Sequence, residues 1–213
     1  MLRPQPLEVV HFTRVEHLGG MAEWGMFSDN EAQARGLLQI EVGNSGIKER
    51  RRRRAVPIPP GGSVADYVPF YFAPRSPMMY SIERGNVPTY QDGCGRLAYI
   101  VTNIERLVSL GLPTLLTDRN AVLRLAEFTD ARSAARDDFI DWELMQARYW
   151  NSTPEEPDRM ERRMAECLVH SNVPWEAVTE IVTQTRAVAE DAERVLTAVG
   201  RTTTILVRPD WYF

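Results

Sequence analysis

The segment RRMAECLVH, residues 162–170, places one acidic side chain, Glu166, inside an otherwise apolar stretch with the character of a β-strand. Burying a carboxylate without a partner is costly, so Glu166 must face water at a strand end or meet a positive partner or a ligand. This is the strongest physical indication of a functional site in the sequence.

Five consecutive arginines, residues 50–54, stand in a chain of 213 residues whose formal net charge is −4. They supply a fifth of the 25 lysine and arginine charges. Such a run is either a solvated charged face or a basic patch for nucleic acid. Because the chain as a whole is acidic, any contact with nucleic acid must be local.

Two further segments carry weaker signals. His11 lies on the apolar stretch LEVVHFT, where a histidine is more often a packed core residue than a site residue. In YVPFYFAPRSPMMY, residues 67–80, an aromatic strand stops at Ala73-Pro74 and the following turn or helix offers Arg75 and Tyr80. An aromatic stripe is more often core, although a strand end of this kind brings an aromatic face and polar groups into one volume.

Composition limits the class of protein. With 44% hydrophobic and 25% charged residues, residues 1–213 are expected to form a single globular domain. Two cysteines and three scattered histidines are too few for a disulfide framework or a Cys-rich zinc site, so no metal is expected. The first residues lack a signal peptide, and no stretch approaches the ~18 apolar residues of a membrane span. We expect a cytoplasmic protein with no membrane association.

The pattern of strands interspersed with helices, many of the connections long, predicts an α+β fold. Strands are predicted at residues 7–13, 67–72, 97–104, 166–170 and 202–209, with a short edge strand at 114–117. Helices are predicted at residues 15–24, 121–149 and 175–199, with Asp141 as the cap of the part that begins at Trp142. Residues 28–44 are predicted to be irregular with one helical turn, and PIPPGG and NSTPEEPD to be loops.

Several of these segments together resemble the DarT family, the DNA ADP-ribosyltransferase toxins of bacterial toxin–antitoxin systems. The resemblance runs from VVHFTRVEHL to the final WYF. It is most specific in DYVPFYFAPRSPMMY, in the stretch that begins at Trp150, and in AECLVHSNVPWE. Cys167 departs from the family, which usually has an aromatic residue there, and residues 28–44 are hard to place, which leaves the ribose and adenine contacts open.

The resemblance implies an ADP-ribosyltransferase-like fold, with a split, twisted β-sheet and flanking helices that hold NAD in a cleft. It implies NAD as the ADP-ribose donor and a base of single-stranded DNA as the acceptor, thymine more than guanine. The expected activity is that of a toxin that blocks replication. The expected protein partner is a macrodomain-type antitoxin that removes the adduct.

The resemblance also assigns roles to residues. Glu166 aligns with the catalytic glutamate, and the IKE-x-R frame places the active-site arginine at Arg51, with Arg50 next. The NAD-binding candidates are His11, Thr13, Arg51, Tyr71 and Tyr80. Of the two tyrosines, the spacing from the YFA element favours Tyr80 for stacking on nicotinamide.

The remaining basic and aromatic residues could line a groove for DNA, with arginines on the backbone and an aromatic ring on a base. The candidates are Arg50, Arg75, Tyr149, Trp150, Arg159, Arg162 and Arg163, together with residues 52–54. For each arginine the alternative is that it simply faces water. Two other functions stay open: the same chemistry on guanine, RNA or protein, and an inactive nucleotide-binding module, against which the intact His11, Arg51, Tyr80 and Glu166 argue.

Overall fold

The computed structural model describes residues 6–37, 40–132 and 138–213. Ten strands are β1 (Glu8–Arg14), β2 (Met26–Phe27), β3 (Tyr67–Tyr71), β4 (Leu97–Asn103), β5 (Thr114–Thr117), β6 (Phe128–Asp130), β7 (Glu166–His170), β8 (Asn172–Val173), β9 (Glu180–Thr183) and β10 (Thr204–Val207). Eight of them form one sheet in the order β10-β9-β4-β1-β3-β7-β5-β6, and β2 and β8 form a separate two-stranded ribbon. The sheet is antiparallel except for the parallel pair β9 and β10.

The large sheet is nearly split between β1 and β3. These two strands share a single residue pair, Val10 opposite Tyr71, whereas β1 pairs with β4 along its whole length. Pro69 in β3 has no N–H to donate, and its carbonyl accepts a 2.8 Å hydrogen bond from the His11 ring. The predicted α+β fold with a split sheet is therefore confirmed.

Among the described residues, eight α-helices flank the sheet: α1 (Leu18–Trp24), α2 (Asp29–Ala34), α3 (Ser45–Arg53), α4 (Pro77–Glu83), α5 (Ile104–Ser109), α6 (Trp142–Gln146), α7 (Arg159–Arg162) and α8 (Arg186–Ala198). Several begin at a side chain that accepts from the first free N–H groups, as Asn44 does for α3, Ser76 for α4 and Thr185 for α8. Residues 50–53 of the arginine run lie on the last turn of α3.

The two faces of the sheet carry different cores. On one face, residues such as Val9, Phe70 and Ile100 pack with α1, α6 and α8. The other face has two separate clusters, one around Tyr99 beneath α4 and one around Leu168 beneath residues 56–64. Residues that face one another across an antiparallel pair point to the same side of the sheet. Tyr71 and Glu166 are such a pair, and they lie at the boundary between these two clusters.

The helix predicted at residues 121–149 is wrong for most of the described part of that range. Residues 128–130 form β6 and pair with β5, and only Trp142–Gln146 is helical. Asp141 does cap that helix, because its side chain accepts from the Leu144 N–H at 3.0 Å. Residues 133–137 lie outside the described residues. Apolar spacing failed here because a short strand is fixed by its pairing partner rather than by its own pattern.

Two other predictions need correction. The helix predicted at 175–199 is confirmed only for Arg186–Ala198, because the β-branched stretch Glu180–Thr183 is β9, between β4 and β10. The strand at Thr114–Thr117 is present, but it is not at an edge: it lies between β7 and β6 and is buried throughout. In the described ranges, no helix is long and apolar enough to cross a membrane.

Candidate active site

The carboxylate of Glu166 is buried at the start of β7, with 2% of the side chain exposed. One oxygen, Oε2, accepts from Arg51 Nη1 at 2.8 Å, and the other, Oε1, accepts from the Ala121 N–H at 3.0 Å. The backbone N–H of Glu166 donates to Thr117 Oγ1 at 3.1 Å. A cation and a backbone amide thus compensate the buried charge and fix the direction of the carboxylate.

Arg51 reaches Glu166 because α3 is held against neighbouring segments. The Asn44 side chain accepts from the backbone N–H groups of Gly46 and Ile47 at the start of the helix, and Lys48 forms ion pairs with Asp29 and Glu41. The second terminal nitrogen of Arg51, Nη2, is buried and has no hydrogen-bond partner in the described protein. A buried donor without a partner is rare and is a group available to a bound molecule.

The other arginines of the run point elsewhere. Arg52 pairs with Asp29, and Arg53 with Glu49 one helical turn earlier. Arg54 lies over the Phe128 ring, with 5.8 Å from its guanidinium carbon to the ring centroid. Arg50 is exposed and makes no ion pair with any residue that the structure describes. Of the five arginines, the structure brings only Arg51 to the carboxylate.

Tyr71 lies directly opposite Glu166 in the pairing of β3 with β7. Its hydroxyl donates to the Met78 sulfur at 3.6 Å, and its ring stacks on Phe12 with 6.3 Å between centroids. Burial raises the pKa of Tyr71 above its ordinary value, and the negative charge of Glu166 raises it further. The phenol therefore stays protonated at neutral pH, as a neutral hydroxyl beside the carboxylate.

His11 lies in the gap between β1 and β3. Its Nδ1 is 2.8 Å from the Pro69 carbonyl, which can only accept, so Nδ1 carries the proton and Nε2 is an acceptor. Burial lowers the pKa of His11 below its ordinary value, and the positive charge of Arg51 lowers it further. The imidazole is therefore neutral at neutral pH.

Thr13 contacts His17, a residue that the sequence analysis did not identify. Its hydroxyl is 2.9 Å from Nδ1 of His17, whose Nε2 is buried without a partner in the described residues. Burial lowers the pKa of His17 as well. No local sequence signal distinguishes His17, because its closeness to Thr13 arises only from the short 3-10 turn that follows β1.

Tyr80, the residue favoured by spacing for nicotinamide, is not at the carboxylate. It is 39% exposed on α4, and its ring makes edge contacts with Trp150 at 6.1 Å and Phe213 at 5.1 Å between centroids. The guanidinium of Arg84 lies 5.7 Å from its centroid. The structure places Tyr71, and not Tyr80, beside Glu166.

Arg163 does not fit its predicted place in a DNA groove. Its side chain is buried, and its guanidinium donates to the backbone carbonyls of Leu144, Met145 and Pro74, the last at 2.8 Å. Burial lowers the pKa of Arg163 to about 10, so it remains a cation at neutral pH. With its donors turned inward onto the backbone, this arginine ties three segments together and presents no charge to a phosphate.

The other candidate DNA contacts are distributed over the surface. Arg162 forms ion pairs with three acidic residues, Asp141, Glu156 and Asp158, and Arg159 pairs with Glu156. These carboxylates already compensate both arginines, which leaves little charge for a nucleic-acid backbone.

Arg75 has no such carboxylate among the described residues. It has a positive φ of 54°, its backbone N–H donates to the Tyr99 hydroxyl, and its guanidinium lies 4.5 Å from the Phe213 centroid. Tyr149 is 73% exposed, whereas Trp150 is buried.

Within the described ranges, no group of three or more His, Cys, Asp or Glu residues is arranged to hold a metal ion.

Comparison with known proteins decides the family. Residues 10–213 match the family model described as "ssDNA thymidine ADP-ribosyltransferase, DarT", a range that includes every site residue named above. The chain belongs to the DarT family. A DNA ADP-ribosyl transferase of Thermus sp. strain 2.9 is 36% identical over 99% of this chain and 98% of that protein. A DNA ADP-ribosyl transferase of Mycobacterium tuberculosis is 29% identical over 99% of this chain and 91% of that protein.

Solved structures of DarT proteins share the fold over the full length. Thermus sp. 2.9 DarT in complex with ADP-ribosylated ssDNA superposes with a TM-score of 0.92 at 35% identity, covering 100% of this chain and 99% of that chain. The same DarT in complex with NAD+ gives a TM-score of 0.87 at 33% identity, with 99% of both chains covered. The fold described above, including the split sheet that carries Glu166, is therefore shared with these DarT structures over almost all of this chain.

Proposed function

We propose that this protein transfers ADP-ribose from NAD+ to a base of single-stranded DNA, with thymine as the acceptor. The observation that carries the proposal is the buried ion pair of Glu166 and Arg51 at the split of a DarT-family sheet. Membership of the family and the likeness to the DarT complexes with NAD+ and with ADP-ribosylated ssDNA support the reaction class.

Glu166 is suited to stabilise the charge that develops in this reaction. Breaking the bond between nicotinamide and ribose builds positive charge on the sugar, as in glycoside hydrolysis. A carboxylate that is already fixed by Arg51 and the Ala121 amide requires no reorganisation to stabilise that charge. This role explains why an acidic residue is retained inside an apolar strand.

The acceptor step forms a bond between a ring nitrogen of the base and the ribose carbon that nicotinamide leaves. The ring nitrogen loses its proton, nicotinamide departs as a neutral molecule, and the proton passes through Glu166 as general base to water. The unpartnered Nη2 of Arg51 is the donor available to a carbonyl of the base or to a phosphate of NAD.

The remaining polar groups would hold the donor. We assign His11 and Thr13 to the ribose and amide of NAD, since neutral His11 offers an Nε2 acceptor in the gap of the sheet. We assign Tyr71 rather than Tyr80 to nicotinamide, because Tyr71 faces Glu166 across the strand pair. A base has to enter this site to react, so an unpaired strand is a cheaper substrate than a duplex.

We infer the biological role from membership of the family. A protein that modifies bases of single-stranded DNA would block replication and act as a toxin. The expected partner is an antitoxin whose macrodomain removes ADP-ribose from the base.

Mass spectrometry of short oligonucleotides tests the proposal. Four single-stranded oligonucleotides are incubated with the protein and NAD+, each with a single A, C, G or T and with flanks composed of the other three bases. A mass gain of one ADP-ribose on the thymine strand alone is expected. The Arg53→Gln variant is the matched control and should retain this activity, because Arg53 points to solvent.

A mass gain on the guanine strand instead of the thymine strand would support the proposed reaction but show that guanine is the acceptor. No gain on any strand, while RNA or protein becomes modified, would overturn the proposal.

A further inference from the structure

Two arginines near Tyr80, Arg75 and Arg84, have no carboxylate partner among the described residues. In the described residues, ion pairs join arginines to acidic residues across the molecule, as for Arg14, Arg96 and Arg162. Arg75 and Arg84 make none, although the chain has 29 acidic residues against 25 basic ones. In an acidic protein, two accessible arginines left without a carboxylate are a local excess of positive charge.

Each of these two arginines lies over an aromatic ring. Arg75 is 4.5 Å from the Phe213 centroid, and Arg84 is 5.7 Å from the Tyr80 centroid. The two rings touch edge to face, 5.1 Å apart. We call Arg75, Tyr80, Arg84 and Phe213 the aromatic–arginine surface. Tyr80 and Arg84 are exposed and the other two are half-buried, so the surface is open to a partner.

This surface is close to the site along the chain. Arg75 follows Tyr71 by four residues, so their Cα atoms are at most about 14 Å apart, and Tyr71 faces Glu166. Arg163, three residues before Glu166, donates to the Pro74 carbonyl at 2.8 Å and so fixes the turn that carries Arg75. A single strand whose acceptor base lies at Glu166 can therefore bring a neighbouring nucleotide to the surface.

We propose that the aromatic–arginine surface binds a second base of the same DNA strand by stacking, beside the base that is modified. Aromatic rings and guanidinium planes with unpaired positive charge are the groups that bind single strands, because each base has a π-face and each nucleotide a phosphate. The proposal rests on the proposed function. It goes beyond that function because it assigns Phe213 and Arg84 to DNA binding. It also assigns Tyr80 to the DNA strand, whereas the sequence analysis assigned it to NAD.

Affinity for a short single-stranded oligonucleotide with one thymine, measured by fluorescence anisotropy without NAD, tests the proposal. Tyr80→Ser should weaken binding about ten-fold, a typical loss for one stacked base. Tyr80→Phe keeps the ring and should bind as the wild type does. Trp24→Ser is the matched control, because Trp24 is also exposed but lies on α1, which packs on the other face of the sheet.

An abasic scan identifies the stacked nucleotide. One abasic position is moved along the oligonucleotide, and the wild type should lose affinity at one position other than the thymine. Tyr80→Ser should show no loss there, since the stacking partner is already gone. The proposal is overturned if the wild type and Tyr80→Ser lose affinity at the same abasic positions. It is also overturned if the two proteins bind the intact oligonucleotide with equal affinity.

The outcomes separate this proposal from the proposed function. If the wild type modifies thymine strands in mass spectrometry but Tyr80→Ser binds like the wild type, only the stacking surface is wrong. If Tyr80→Ser alters sedimentation of the protein alone and leaves oligonucleotide affinity unchanged, a second copy of the chain occupies the surface and the proposal is overturned.

Discussion

Replacing Arg51 by methionine removes the cation that compensates the buried carboxylate of Glu166. The Arg51 side chain is 13% exposed and that of Glu166 is 2% exposed, so water cannot take over the role of the guanidinium. Removing one partner of a buried pair commonly costs 3–5 kcal/mol, and the Ala121 amide retains part of the compensation. We therefore expect the free energy of unfolding to fall by about 3 kcal/mol, which corresponds to a Tm lower by roughly 6–12 °C for a domain of this size.

Arg53→Met is the matched control, because it removes the same charge two residues along the same helix. The Arg53 side chain is 79% exposed and pairs with Glu49, a contact worth about 0.3–0.5 kcal/mol. Its Tm should change by no more than about 2 °C. Arg51→Lys restores a cation without the planar fork and should recover part of the stability but little of the activity.

Thermal unfolding and transfer of ADP-ribose to a thymine oligonucleotide, at saturating NAD, are measured on the three variants and the wild type. Arg51→Met should lose at least about 100-fold in rate, because the carboxylate loses its orientation. Equal losses of Tm and rate in the Arg51 and Arg53 variants would refute the reasoning, since the run would then act as one solvated patch.

Three further changes test the site. Glu166→Gln keeps the side-chain volume and a bond to the Ala121 amide but removes the charge, so we expect a rate at least about 100-fold lower with the fold retained; a rate near that of the wild type would exclude Glu166 as the catalytic carboxylate. The pKa of His11 is lower in the folded protein than in the unfolded chain, so below about pH 6.5 the unfolded chain binds more protons than the folded protein. The free energy of unfolding should therefore fall as the pH drops below about 6.5. His11→Asn keeps a donor for the Pro69 carbonyl and should flatten that fall in denaturant titrations between pH 7.5 and 5; an unchanged pH dependence would show that His11 does not carry the effect. Arg163→Met leaves buried carbonyls unpaired and should lower the unfolding free energy by about 3 kcal/mol; a variant as stable as the wild type would mean that these bonds contribute nothing.

Local patterns in the sequence predicted the main strands and a candidate site at Glu166. Strands such as Leu97–Asn103 and Glu166–His170 were predictable because they are apolar runs bounded by turns. Glu166 was conspicuous because a carboxylate in such a run must have a partner. Where the local pattern indicated the wrong element, as at Phe128–Asp130, pairing with β5 decided the structure and the predicted helix was wrong.

Only the tertiary structure decided which of the five arginines and which of the two tyrosines lies beside Glu166. Successive residues of a helix point about 100° apart, so five arginines in a row face all around α3 and only the docking of α3 brings Arg51 to Glu166. Tyr71 and Tyr80 are equally aromatic in the sequence, but strand register places the first opposite the carboxylate and leaves the second on the surface. Arg163 turns inward because three backbone carbonyls converge there. Residue type is a property of the chain, whereas direction and partner depend on contacts between distant segments, and those contacts exist only in the folded protein.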